Sequence, residues 1–255
     1  MIALQRRHST DYLEQRTTTV QTRELTYTHG DTTFRGQLAW DDALGPRPGV
    51  LVAPTWAGCT EFEKDQASRL AGLGYVGLAV DMYGDGVTGG DKDECAALLN
   101  SVVSDRALLQ ARIGAAADAV RALPETADEP VAAMGFCFGG LCVLDLARSR
   151  SDIAGVVSLH GLLMPADNLP APEISAKVLV LHGYDDPMVP PDQVVSFATE
   201  MTNAGCDWQL HAYGQTLHAF TNPEANDPDF GTVYSATASR RAYRALDDFL
   251  AEVLP

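Results

Sequence analysis

From residue 23 the polar and apolar positions first alternate in twos. "RELTYTH" and "FRGQLAW" flank the turn-rich "GDTT" and predict a pair of antiparallel strands. After them the period changes. Short β-rich runs ("GVLVAP", "YVGLAVDMY", "VAAMGF", "IAGVVSLHG", "KVLVLHG" and "DWQLHAY") are separated by stretches of helical spacing near 60–73, across 91–122, at 138–149 and 191–204, and near 232–253. The runs at 49–54, 131–136 and 177–183 are apolar on both faces, which suits a strand covered by helices on each side. Alternation of this kind predicts an α/β fold with a mainly parallel central sheet between two layers of helices. Ligands in such sheets lie beyond the carboxyl ends of the strands, so the chemistry is sought just after each run.

Composition narrows the class. Residues 1–21 precede the strand pattern and are read as a flexible extension or a cloning remnant; residues 22–255 are read as one domain, a length that a single α/β core accommodates. No run reaches the roughly 18 apolar residues of a membrane span, and the N-terminus lacks a signal-peptide pattern. A soluble, cytoplasmic protein with no membrane partner is expected. The net charge of -16 disfavours nucleic acid and other polyanions and favours a small neutral molecule. Five cysteines (59, 95, 137, 142 and 206) without repeated spacing predict neither a disulfide framework nor a zinc site, and no metal or other cofactor is expected.

Candidate chemistry centres on "GFCFGG", residues 135–140, where Gly-Phe-Cys-Phe-Gly sits at a strand-to-helix junction. This is the pattern of a nucleophile elbow with cysteine in the serine position. Its glycines permit a tight turn and close packing of the helix, the helix N-terminus favours an anion at Cys137, and the Phe138 N–H would face a developing oxyanion. Alone, the motif is equally compatible with a small buried thiol. Two features downstream shift the balance. "KVLVLHGYDDPMVP" places Asp185 and Asp186 after an apolar strand, and "GQTLHAF" places His218 after the last strand, so nucleophile, acid and histidine follow in the order of an α/β-hydrolase triad. Asp186, which precedes Pro187, is preferred to Asp185. His160 and His182 end strands beside glycines, where they line a pocket or satisfy backbone groups; His211 is expected to face outward. A second oxyanion donor is expected from "TWAG", with the Trp56 N–H as candidate. Tyr83, which follows the apolar run at 75–80, is a further pocket candidate.

"GDGVTG", residues 84–89, imitates a dinucleotide fingerprint, but the ribose-binding acid would fall near Asp105, inside a helical stretch. Asp85, Asp91, Asp93 and Glu94 do not have EF-hand spacing and read as a solvated acidic loop.

The cysteine elbow, the "HGYDDPMVP" acid turn and the "GQTLHAF" histidine loop together resemble the dienelactone hydrolase family, from about residue 22 to the C-terminus. The resemblance implies an α/β-hydrolase fold without a large cap, no metal, and hydrolysis of esters or lactones. It implies Cys137 as nucleophile, His218 as base, Asp186 as its orienter, and Trp56 and Phe138 as oxyanion donors. Members of that family carry a glutamate where Thr55 stands here, and two arginines, which bind the substrate carboxylate, at positions matched by Asp85 and Asn222. A pocket with those substitutions is expected to take neutral esters or lactones, and phosphotriesters, rather than a dianionic lactone. The alternatives are a true dienelactone hydrolase (carboxymethylenebutenolidase) and a non-catalytic ligand-binding protein of the same fold.

Overall fold

The computed structural model describes residues 19–166 and 173–254. The opening tracts form β1 (Val20–His29) and β2 (Thr32–Asp41), paired antiparallel through a two-residue turn in which Gly30 takes φ 56°. Most of the expected extension, residues 1–18, lies outside the described residues, and from Val20 the chain is already in β1.

The apolar runs become β3 (Gly49–Ala53), β4 (Val76–Ala79), β5 (Val131–Phe136), β6 (Ile153–Leu159), β7 (Lys177–Gly183) and β8 (Trp208–Tyr213). They join β1 and β2 in one eight-stranded sheet ordered β1-β2-β4-β3-β5-β6-β7-β8. Only the pairings of β2, with β1 and with β4, are antiparallel; the others are parallel. Strand pleating sends successive side chains to opposite faces. Val50 and Val52 of β3 pack with Ala67 and Leu70 of α1 (Glu61–Gly72) and Leu246 and Phe249 of α6 (Ala236–Val253). Leu51 and Ala53 pack on the other face with Leu109 and Ile113 of α3 (Arg106–Arg121), Leu141 of α4 (Phe138–Ser149) and Phe197 of α5 (Pro191–Asn203). The double-sided apolar runs were legible for this reason: each face has its own helical layer.

The helices expected across 91–122 are α2 (Lys92–Val103) and α3, separated where the Asp105 carboxylate accepts from Leu108 N and starts a new helix. The expected elements differ from the fold in two places. The run at 75–83 ends as strand at Ala79, and the buried carboxylate of Asp81 then gathers the N–H groups of Arg35, Tyr83, Gly84 and Gly86 into a turn. The last helix begins at Ala236, not 232. Ser235 caps it, while β10 (Thr232–Val233) pairs with β9 (Asn226–Asp227) in a small separate hairpin.

A buried ionic cluster ties three helices together. Arg106 of α3 is bidentate to Asp145 of α4, with contacts of 2.7 and 2.5 Å; Arg148 donates to Asp145 at 3.0 Å and, through two nitrogens, to Glu200 of α5 at 2.7 and 2.8 Å. Arg106 also donates to the carbonyls of Met164 and Pro165, which anchors the chain leaving β6. Among the described residues, no helix is long and apolar enough to cross a membrane.

Candidate active site

Cys137 lies between β5 and α4 with φ 55° and ψ -114°, a left-handed conformation that side chains with a Cβ rarely adopt. Its surroundings enforce it. The Cys137 N–H donates to the Leu159 carbonyl, and the Cys137 carbonyl accepts from Gly140 and Leu162. A Cβ on Gly135 would collide with the Gly139 carbonyl, and one on Gly139 would collide with the Ala53 carbonyl. The glycines of "GFCFGG" therefore let α4 start directly against β3 and β5, and the thiol emerges at the carboxyl end of the sheet, partly exposed.

His218 stands opposite on the chain following β8. Its backbone is clamped by the small hairpin: its N–H donates to Gly231 O and its carbonyl accepts from Val233 N. The ring Nδ1 donates to Asp186 Oδ2 at 2.7 Å; Asp186 Oδ1 accepts from Met188 N at 2.8 Å. Both side chains are buried. Nε2 is buried without a hydrogen bond of ordinary geometry, and Cys137 is the strongest upward influence on the ring. Burial opposes the imidazolium, but Cys137 and Asp186 outweigh it and raise the His218 pKa to about 10. Asp185, the other acid considered, is exposed.

Cys137 and His218 open into a cavity of about 590 Å³ also lined by Thr55, Trp56, His160 and Asn222, all anticipated from sequence. Leu99, Leu162, Met188 and Phe62 add apolar wall. His160 does more than satisfy backbone: it takes φ 38°, its Nε2 meets Thr221 Oγ1 at 2.8 Å, and its ring packs edge-on to His218 at 5.1 Å. Burial, aided by His218, pushes its pKa well down, so it is neutral.

Two anticipated pocket residues lie elsewhere. Asp85 lines a separate recess of about 290 Å³ with Glu24, Arg35 and Lys64, because the Asp81-centred turn directs it toward the β1–β2 edge. Tyr83 is not in the cavity wall; its ring stacks on Phe138 at 5.9 Å and its hydroxyl donates to the Trp56 carbonyl at 2.8 Å. The imitation fingerprint at 84–89 is a loop, with α2 starting only at Lys92, and Gly84 is needed there for its φ of 105° and its approach to Thr32. His211 is exposed on the edge strand β8.

Other site residues were not anticipated. Glu63 is fully buried and binds the turn that carries Trp56; the Thr-x-x-Glu pattern at 60–63 is the signal that would have found it. Lys92 lines the cavity, so the wall holds a cation after all, but its Nζ lies 2.7 Å from Asp227 and 4.3 Å above the Phe230 ring. Phe230 in turn stacks on Trp56 at 5.6 Å. Nothing in the local sequence links Lys92 to residues 227 and 230. Among the described residues, no cluster of three or more His, Cys, Asp or Glu is placed to hold a metal ion.

The chain is similar to known proteins in sequence and in fold. The family model described as "Dienelactone hydrolase family" matches residues 34–254. Two solved structures are each 37% identical and cover 92% of this chain and 99% of their own: m3DLH, with TM-score 0.88, and a dienelactone hydrolase-like promiscuous phosphotriesterase from metagenomic libraries, with TM-score 0.86. A Yersinia pestis protein named "Putative carboxymethylenebutenolidase" is 26% identical over 223 residues, 83% of this chain and 80% of its own. The match along nearly the whole sheet, in sequence and in three dimensions, makes this chain a member of the dienelactone hydrolase family.

Proposed function

We propose that the protein is a thiol hydrolase of neutral carboxylic esters, aryl esters among them, which also accepts neutral phosphotriesters. One observation carries the reading: the Asp186–His218 pair presents a buried Nε2, without another partner, toward Cys137 on the strained turn. His218 takes the thiol proton. The Cys137 sulfur attacks the carbonyl carbon, and the charge gathering on oxygen is met by the N–H groups of Trp56 and Phe138. When the intermediate collapses, the leaving alkoxide takes the proton from His218. His218 then accepts a proton from water, whose oxygen attacks the thioester; the acid departs and the thiol is restored. On a phosphotriester the same steps pass through a thiophosphoryl enzyme. Asp186 keeps Nδ1 protonated, and so Nε2 is the atom that exchanges protons.

The cavity supports the substrate class. Its walls are largely aromatic and aliphatic, and its one lysine is engaged by Asp227. Lys92 also favours a second reading, a true dienelactone hydrolase in which an anionic substrate displaces Asp227 from the ammonium. Turnover of an aryl ester, a neutral phosphotriester and a dienelactone by wild type and Cys137→Ala separates these readings. The expected result is loss of at least about 1,000-fold in kcat on the neutral substrates in Cys137→Ala, with the dienelactone the poorest wild-type substrate. Preference for the dianionic lactone would favour the second reading. Full activity of Cys137→Ala would refute thiol catalysis, and a wild type inert to all three would indicate a binding protein.

A further inference from the structure

The carboxylate of Glu63 is completely buried, yet it belongs to the first turn of α1, where a helix needs only an exposed acid. One oxygen does what a capping box requires: Oε2 accepts from the Thr60 N–H at 2.9 Å and from the Thr60 hydroxyl at 2.6 Å. The other oxygen does something a cap does not need. Oε1 reaches eight residues back to accept from the Thr55 N–H at 3.0 Å, on the far side of the turn that carries Trp56. Burial raises the Glu63 pKa, and these three donors offset only part of that rise; they are the partners that a buried carboxyl group needs.

The rest of the turn is fixed to match. The Thr55 carbonyl accepts from Gly58 N at 3.1 Å, and in a planar trans peptide the Trp56 N–H must then point to the opposite side. The Trp56 carbonyl accepts from the Tyr83 hydroxyl, and the Ala57 carbonyl from Gly89 N. Each peptide from Thr55 to Ala57 is therefore held by at least one bond, and the Trp56 N–H is left for the cavity. A Cβ on Gly58 would meet the Val87 carbonyl at 2.8 Å, so the turn cannot relax outward.

We propose that Glu63 is a positioning residue of the oxyanion site: its buried carboxylate clamps Thr55 to Thr60 and so sets where the Trp56 N–H stands relative to the Cys137 sulfur. The inference rests on the proposed thiol-hydrolase reading with Trp56 as an oxyanion donor. It assigns the buried carboxylate to transition-state geometry and leaves the thiol to His218. A charge next to a developing oxyanion would oppose it, and Glu63 offsets this by holding N–H dipoles in place before the reaction begins.

The test uses Glu63→Ala, Glu63→Gln and Thr60→Val, each compared with wild type in aryl-ester turnover, in inactivation by iodoacetamide and in melting temperature. Alkylation consumes the thiol without building an oxyanion, so it reads the nucleophile alone. In folded Glu63→Ala we expect kcat to fall about 100-fold, with KM and the alkylation rate changed by no more than about twofold. Glu63→Gln keeps an acceptor for Thr55 but turns a donor on the Thr60 N–H, and its kcat should fall about 10-fold. Thr60→Val takes one donor from the clamp and leaves both backbone N–H groups on the carboxylate, so its kcat should fall less than that of Glu63→Gln, by about threefold. The inference is overturned if folded Glu63→Ala keeps kcat within about threefold, or if kcat and alkylation fall together. Should Glu63→Ala not fold, the same two criteria apply to Glu63→Gln. Wild-type activity that survives complete iodoacetamide modification would instead remove the thiol-hydrolase reading, and this inference with it.

Discussion

At Cys137 a residue with a Cβ is held at φ 55°, a conformation that costs roughly 1–3 kcal/mol. The cost is offset by packing around Gly135, Gly139 and Gly140, and what it secures is a thiol aimed out of the sheet toward His218. The two residues are electrically coupled. His218 has its pKa raised from 6.5 to about 10 despite burial, and Cys137 is the leading cause of the rise. Removing the sulfur should therefore lower the pKa of His218, which an imidazole NMR titration of wild type and Cys137→Ala would follow; an unchanged midpoint would contradict the coupling. The stability that His218 contributes through its proton is complete below pH 6.5, the unfolded value, and is lost as the pH climbs toward 10. His160 and His182 work in the opposite sense. Burial lowers both, so their contribution is present above pH 6.5 and is lost on acidification.

Among the elements, α4 has the most to satisfy. It is buried along nearly its whole length, starts at the Cys137 turn, and carries Asp145 and Arg148 into the interior. A buried carboxylate between two arginines is stable only as a complete set, because each charge left alone would be desolvated without compensation. Asp145→Ala should thus lower the unfolding free energy by about 3–5 kcal/mol, measured by urea denaturation. Since Arg106 also holds the carbonyls of Met164 and Pro165, the same variant should loosen the segment containing Leu162, which lines the cavity and donates to the Cys137 carbonyl. The β9–β10 hairpin is the other element with a role beyond its size. It clamps the backbone of His218 and brings Asp227 and Phe230 to the cavity wall opposite Trp56.

For the molecule as a whole, the charge of -16 surrounds a cavity whose lysine is already paired. Anionic esters must approach against that field, and neutral ones feel none of it. Salt screens such repulsion over about 10 Å at 0.1 M. Raising the ionic strength from about 0.01 to about 0.2 M should increase kcat/KM for an anionic aryl ester several-fold and leave that for its neutral analogue unchanged. Steady-state kinetics at the two salt concentrations decide the matter, and equal responses would show that the net charge plays no part in substrate choice.

The sequence by itself determined the layered α/β sheet, because burial on both faces writes an unbroken apolar run and burial on one face writes a period. It determined the elbow at Cys137 and the order of Asp186 and His218, because a strained turn demands glycines and the other two residues lie in the loops that follow β7 and β8. The preference for Asp186 over Asp185 was also legible, through Pro187. Only the tertiary structure decided the cavity wall. Lys92 and Phe230 meet across 138 positions of chain, Asp85 is turned away by bonds to Asp81, and Tyr83 is drawn behind Trp56 by a single hydroxyl. Helix and strand periods record which face of an element is buried, whereas the neighbours across a loop-built cavity are set by hydrogen bonds between distant segments, and those leave no period to read.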